Sequence, residues 1–244
     1  MKKKANIAKK GIARLLAGIM VASTVLTALP SQNAQAEEAN LVFDLNFENL
    51  TEEIGTALGD TITANTGETV TVYDTVALVE GRDGGKAVDL RFGKGYLTVP
   101  NTDKLNPESM TVSVWLKRVE SANKEARILW AKANNSWNTD GWFLGWTTGE
   151  SMALVTDGTN MAVQKASADT LLPENEWTNI TGVFNSETGE IILYQDGVKF
   201  ASTQISGASI TKSGLTDILI GKSGYGDVGI GCYADDFKIF NTAY

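Results

Sequence analysis

The sequence predicts an all-β protein, a two-sheet sandwich or a barrel, on three observations. Apolar and polar residues alternate in many short segments, as from Met110 to Lys117 and from Trp177 to Phe184, which marks half-buried strands. Turn-forming pairs separate the segments at Asp83-Gly84, Asn106-Pro107, Asp157-Gly158 and Asp196-Gly197. After the first 36 residues, no stretch carries the 3.6-residue spacing of an amphipathic helix. Such a pattern folds as a sandwich or a barrel.

The elements follow in chain order. Residues 1–36 are read as a secretory signal peptide, outside the fold. Lys2, Lys3, Lys4, Lys9, Lys10 and Arg14 precede an apolar run from Leu15 to Leu29, and Ala34-Gln35-Ala36 supplies a small-x-small cleavage site. A run of about 15 residues is short for a membrane span of about 20, so no stable insertion is expected after cleavage near Ala36. Residues 37–244 then form one domain, secreted or held at the cell surface. Its first strand, 41–48, alternates Phe43, Leu45 and Phe47 with Asp44, Asn46 and Glu48. Residues 49–69 are polar without a period and read as an irregular loop. Strands follow at 70–79, 87–91, 96–99, 110–119, 127–133, 141–147, 152–156 and 161–165 by the same alternation. The strands at 176–184, 190–195 and 198–204 are joined by local turns, with Gly197 supplying the positive φ of a primed hairpin turn. Strands at 218–222 and 231–240 close the domain.

These motifs resemble those of the laminin-G-like, concanavalin A-like lectin jelly rolls of secreted bacterial proteins. The Trp177 strand followed by Tyr194-Gln195-Asp196-Gly197 resembles that family's central hairpin. Gly85–Phe92 with Gly95–Pro100 looks like its early hairpin, Met110–Lys117 like its central strand and Asp235–Phe240 like its closing strand. The resemblance covers about residues 41–241. It implies a two-sheet antiparallel jelly-roll sandwich of the concanavalin A-like lectin/glucanase type, with first and last strands adjacent.

Composition narrows the function. The leader holds six of the 21 Lys and Arg and none of the 29 Asp and Glu, so its removal takes the formal net charge from −8 to −14. That charge argues against nucleic acid, anionic lipid and polyanionic glycans, and is compatible with neutral poly- or oligosaccharide. Cys232 is the only cysteine, which excludes an intramolecular disulfide; inside an apolar stretch it reads as a small buried hydrophobe. With no His, the usual Ser or Cys triads are excluded. Glucan hydrolases of this architecture carry three acids on one strand at Glu-x-Asp-x-Glu spacing, and no segment here does. No enzyme activity is expected. The glycine-rich 224–229 matches a dinucleotide fingerprint in letters, but a strand follows it where the mechanism needs a helix.

Two constellations remain. Trp137 lies among Asn134, Asn135, Asn138 and Asp140, the composition of a loop that stacks a ring on a sugar and binds its hydroxyls. Tyr225, in the glycine-rich loop, is a second candidate for carbohydrate contact, whereas Trp142 and Trp146 share a strand face and read as core. Asp44 and Asp235, brought together by adjacent first and last strands, are candidate ligands of one structural calcium, which related jelly rolls carry at this place. Trp115 points away from the aliphatic face of its strand, where loops are expected to fold over and bury it. The resulting expectation is a secreted, non-catalytic carbohydrate-binding module accessory to a carbohydrate-active or cell-surface system. The alternative is a structural or adhesive domain that binds neighbouring domains or proteins.

Overall fold

A computed structural model describes residues 40–120, 126–133, 141–146, 151–156, 160–210, 215–223 and 229–244. The strands are β1 Leu41–Leu45, β2 Thr61–Thr63, β3 Thr69–Asp74, β4 Leu78–Glu80, β5 Lys86–Leu90, β6 Gly95–Val99, β7 Met110–Arg118 and β8 Ala126–Ala133. They continue as β9 Gly141–Trp146, β10 Ser151–Thr156, β11 Asn160–Ser167, β12 Trp177–Asn185, β13 Glu190–Gln195, β14 Val198–Gln204, β15 Leu215–Ser223 and β16 Cys232–Phe240. They make two antiparallel sheets, a jelly-roll sandwich. The first runs β14-β13-β12-β7-β16-β5-β4, with β1 also paired to β16; the second runs β11-β10-β9-β8-β15-β6-β3-β2.

Strand alternation fills the space between the sheets. Val112, Val114 and Leu116 of β7 and Ile180 and Phe184 of β12 point inward and are fully buried. Leu97, Leu129, Leu144, Leu154 and Ile220 of the second sheet are buried with them in one core. At Gly182 the sheets approach so closely that an added Cβ would lie 3.0 Å from Leu154 Cδ2. Trp142 and Trp146 are core, as their shared face predicts, and Trp142 donates its indole N–H to Asn106 Oδ1 at 3.0 Å. Cys232 is buried and forms no disulfide.

The β12-β13-β14 meander forms as its turns require, with Asp196 at φ 48° and Gly197 at φ 76° completing the primed turn. Two expectations are corrected. Gly85–Phe92 and Gly95–Pro100 do not make a hairpin: β5 pairs with β4 and β16 in the first sheet, whereas β6 pairs with β3 and β15 in the second. The link between them therefore crosses from one sheet to the other, which alternation within each strand could not reveal. Residues 49–69 are not wholly irregular, because Thr61–Thr63 pairs with Thr69–Thr71. Three residues are too few to show a period.

The middle of β16 positions the candidate site. On one side β16 pairs with β7; on the other, β5 takes Cys232–Ala234 and β1 takes Phe237–Phe240. Asp235 and Asp236 sit where these two partners meet, in a bulge that places Asp236 at φ 51°.

Candidate functional site

The outward face of the first sheet follows from the pairing register, since directly opposed antiparallel residues share a face. One cross-strand row runs Trp177, Lys117, Tyr233, Asp89. The next runs Asn179, Trp115, Asp235, and a third runs Tyr194, Thr181, Ser113, Lys238, Asp44. Trp177, Trp115, Tyr233, Tyr194 and Lys117 are all half-buried. Half-buried aromatics interleaved with polar groups give this face the composition of a recognition surface.

Each group is held in place differently. Arg82 lies over the Trp115 ring at 4.3 Å and reaches Asp236 Oδ2 at 3.0 Å. Trp115 thus points outward as expected and is half-buried beneath Arg82 of the β4–β5 connection; Arg stacks on a ring face at little cost in hydration. Arg91 donates from Nε and Nη2 to the two oxygens of Asp89, at 2.9 and 2.7 Å, and stands 5.6 Å from the Tyr233 ring. Asn179 Nδ2 donates to Ser113 Oγ at 3.0 Å, and the Thr181 hydroxyl donates to Asn179 Oδ1 at 2.8 Å. Among the described residues the Trp177 ring has no ring, cation or hydrogen-bond partner, and Lys117 has no carboxylate. These two are the free groups of the row.

Two acids on this face are buried. Asp89 is 3% exposed and Asp235 4%, so a sugar cannot reach the pair as a hydrolase would need. Burial, then the charges of Asp236 and Glu48, push the Asp235 carboxyl up to about 7, although Arg82 and the Asp236 N–H oppose this. Burial and Asp236 likewise raise Asp44, against Lys238, and Asp44 Oδ1 is buried with no hydrogen-bond partner. Glu48 Oε1 accepts the Lys86 N–H at 2.8 Å, tying the chain after β1 to the start of β5.

The two proposed calcium ligands lie on either side of the bulge, Asp44 opposite Lys238 and Asp235 opposite Trp115. The unpartnered Asp44 oxygen fits a cation donor. Among the described residues, however, no three His, Cys, Asp or Glu side chains converge on one point, so backbone carbonyls and water would have to supply most of calcium's six to eight oxygens. Trp137, Asn135, Asp140 and Tyr225 lie outside the described residues, as does the leader. Trp177 and Lys117 emerge as candidate site residues only from the pairing register, although a Trp on the polar face of an alternating strand is a visible signal in the sequence.

A separate cleft of about 490 Å³ opens between the segment 46–52 and the β2–β3 hairpin, lined by Asn49, Thr51, Glu52, Thr61, Thr63 and others. It holds no aromatic side chain. On the second sheet Tyr73 stacks on Tyr96 at 4.7 Å, with Lys222 at 4.1 Å from the Tyr96 ring, so each ring already has a partner.

Residues 92–244 match the concanavalin A-like lectin/glucanases superfamily, laminin G type. The chain belongs to this family. Domain 4 of AbnA, an extracellular arabinanase from Geobacillus stearothermophilus in complex with arabinotriose, superposes with a TM-score of 0.58 at 16% identity, over 84% of this chain and 93% of that one. The binding domain of botulinum neurotoxin DC superposes in complex with SialylT, with a TM-score of 0.57 at 16% identity, over 84% of this chain and 48% of that one. The same domain with rat synaptotagmin II gives a TM-score of 0.58 at 16% identity, over 85% and 49%. The chain thus spans about half the length of the toxin domains. At these identities the likeness is one of fold. No curated protein sequence matches the chain. Among the described residues no helix is long and apolar enough to cross a membrane.

Proposed function

We propose that the chain is a secreted, non-catalytic glycan-binding module whose contact surface is the outward face of the first sheet. Trp177 carries this reading: its ring is half-buried, unpartnered, and set in a row with Lys117 and Tyr233. A pyranose stacks its apolar face on such a ring while neighbouring polar groups take its hydroxyls. The Asn179-Thr181-Ser113 network offers amide and hydroxyl groups already fixed by one another, so little ordering cost falls on binding. Arabinotriose and SialylT on domains of the same fold support the reading by analogy.

The formal charge favours a mainly neutral glycan over a polyanion, and an accessory role beside a carbohydrate-active or cell-surface system suits such a module. Trp137, Asn135, Asp140 and Tyr225 stand as a second proposed glycan contact, on composition alone. One structural Ca²⁺ is proposed at Asp44 and Asp235, which would hold it through their carboxylates. A glycan array probed with the secreted protein, in calcium and in chelator, tests the reading. Selective signals support it. Silence on every glycan, with capture of a protein partner instead, supports the second reading, a domain that binds protein as the toxin domain in complex with synaptotagmin II does.

A further inference from the structure

Lys117 occupies the centre of the aromatic row. β12 sets Trp177 on one side of it and β16 sets Tyr233 on the other, in direct register. With strands about 4.8 Å apart, the two aromatic positions lie about 10 Å apart across it. The other cations on this face are engaged: Arg91 by Asp89, Arg82 by Asp236 at 3.0 Å, and Lys238 is 4.0 Å from Asp236. Asp89, the acid in the same row, accepts from Nε and Nη2 of Arg91. Lys117 alone in this row brings a positive charge with no carboxylate among the described residues.

In water that charge is at rest. A ligand lying across Trp177 and Tyr233 changes this, because it strips water from the ammonium and must return an acceptor. A hydroxyl oxygen returns a neutral hydrogen bond; a carboxylate returns a charge-assisted one, roughly twice as strong. The surface as a whole sets the opposite limit, because a formal net charge of −8, or −14 without the leader, repels a chain of many carboxylates. Local attraction and global repulsion together select one acid group on an otherwise neutral sugar chain.

We infer that the Trp177-Lys117-Tyr233 row selects oligosaccharides carrying a single carboxylated sugar, whose acid group meets Lys117 while the chain stacks on the flanking rings. The inference rests on the glycan reading above. Its test is an array of matched pairs: oligosaccharides of several backbones, each bearing one uronic or sialic residue, beside the same oligosaccharides with that carboxyl reduced to an alcohol. The full secreted protein and its Lys117→Gln and Lys117→Arg variants are compared, with melting curves recorded for each. The acid member of at least one pair should bind about tenfold tighter. Lys117→Gln should erase that difference, and Lys117→Arg should preserve it. A fully charged oligogalacturonate should bind more weakly than the singly charged ligand at low salt and recover as salt rises. Equal affinity within every pair, or a preference that survives Lys117→Gln, overturns the inference and leaves the glycan reading standing. Silence of every pair overturns both.

Discussion

Asp235→Asn should stabilise the protein above neutral pH when calcium is absent. Asp235 is 4% exposed, and its carboxyl is pushed from an ordinary 3.8 up to about 7 by burial first and then by Asp236 and Glu48. A carboxyl that holds its proton more tightly when folded makes the folded state bind more protons between about pH 4 and 7. Its contribution is therefore most favourable below pH 4 and is lost as pH rises through 7, after which the folded protein carries the full cost of a buried charge. A displacement of about three on the pH scale corresponds to about 4 kcal/mol, an upper figure for one site. Asn keeps the acceptor that Asp235 Oδ1 offers the Asp236 N–H at 2.7 Å, so the change removes charge and leaves that hydrogen bond. Urea unfolding of both proteins in chelator, from pH 4.5 to 8.5, isolates the effect, because titrating groups not coupled to Asp235 cancel in the difference. The variant's advantage over wild type should grow by about 2 to 3 kcal/mol between pH 4.5 and pH 8.5. A variant equally or less stable at pH 8.5 in chelator refutes the reasoning.

Further expectations concern the cation, the backbone, the core and export. If calcium binds at Asp44 and Asp235, a hundredfold excess over its Kd adds about 2.7 kcal/mol, so chelator lowers the melting temperature of wild type and not of Asp44→Ala; identical curves with and without chelator dismiss the ion. Gly229, at φ +91°, would place a Cβ inside contact of the Arg91 carbonyl, so Gly229→Ala should destabilise by about 1 to 3 kcal/mol in denaturant melts. Trp142→Ala should remove about 3 to 5 kcal/mol, since the ring is 1% exposed and Asn106 loses its donor. Mass spectrometry of exported protein should find an N-terminus near Glu37.

Much of the fold was legible because it rests on alternation and turns. β12, β13 and β14 are neighbours in sequence and in space, and Asp196-Gly197 announced their turn. The pairing of β1 with β16 came through family resemblance, since no local signal reports contact between chain ends. The crossing from β5 to β6 was not legible, because each strand alternates identically whichever sheet it joins. The outward row was only half legible. The pattern of β12 put Trp177 on a polar face, but register alone shows that Lys117 and Tyr233 stand beside it. Arg82 over Trp115 joins elements far apart in sequence, which no spacing could announce.

The most direct test of the central claim is calorimetric titration of the best array glycan into wild type and Trp177→Ala, with melting temperatures measured alongside. Covering about 60 Å² of ring at about 25 cal/mol per Å² gives about 1.5 kcal/mol, roughly tenfold in Kd. The expected result is a loss of about tenfold or more on Trp177→Ala, with the fold retained and the melting temperature lowered less than by Trp142→Ala, because the Trp177 ring is half-buried where Trp142 is core. An unchanged Kd in a folded Trp177→Ala variant would place glycan binding elsewhere on the molecule and contradict the outward-face assignment.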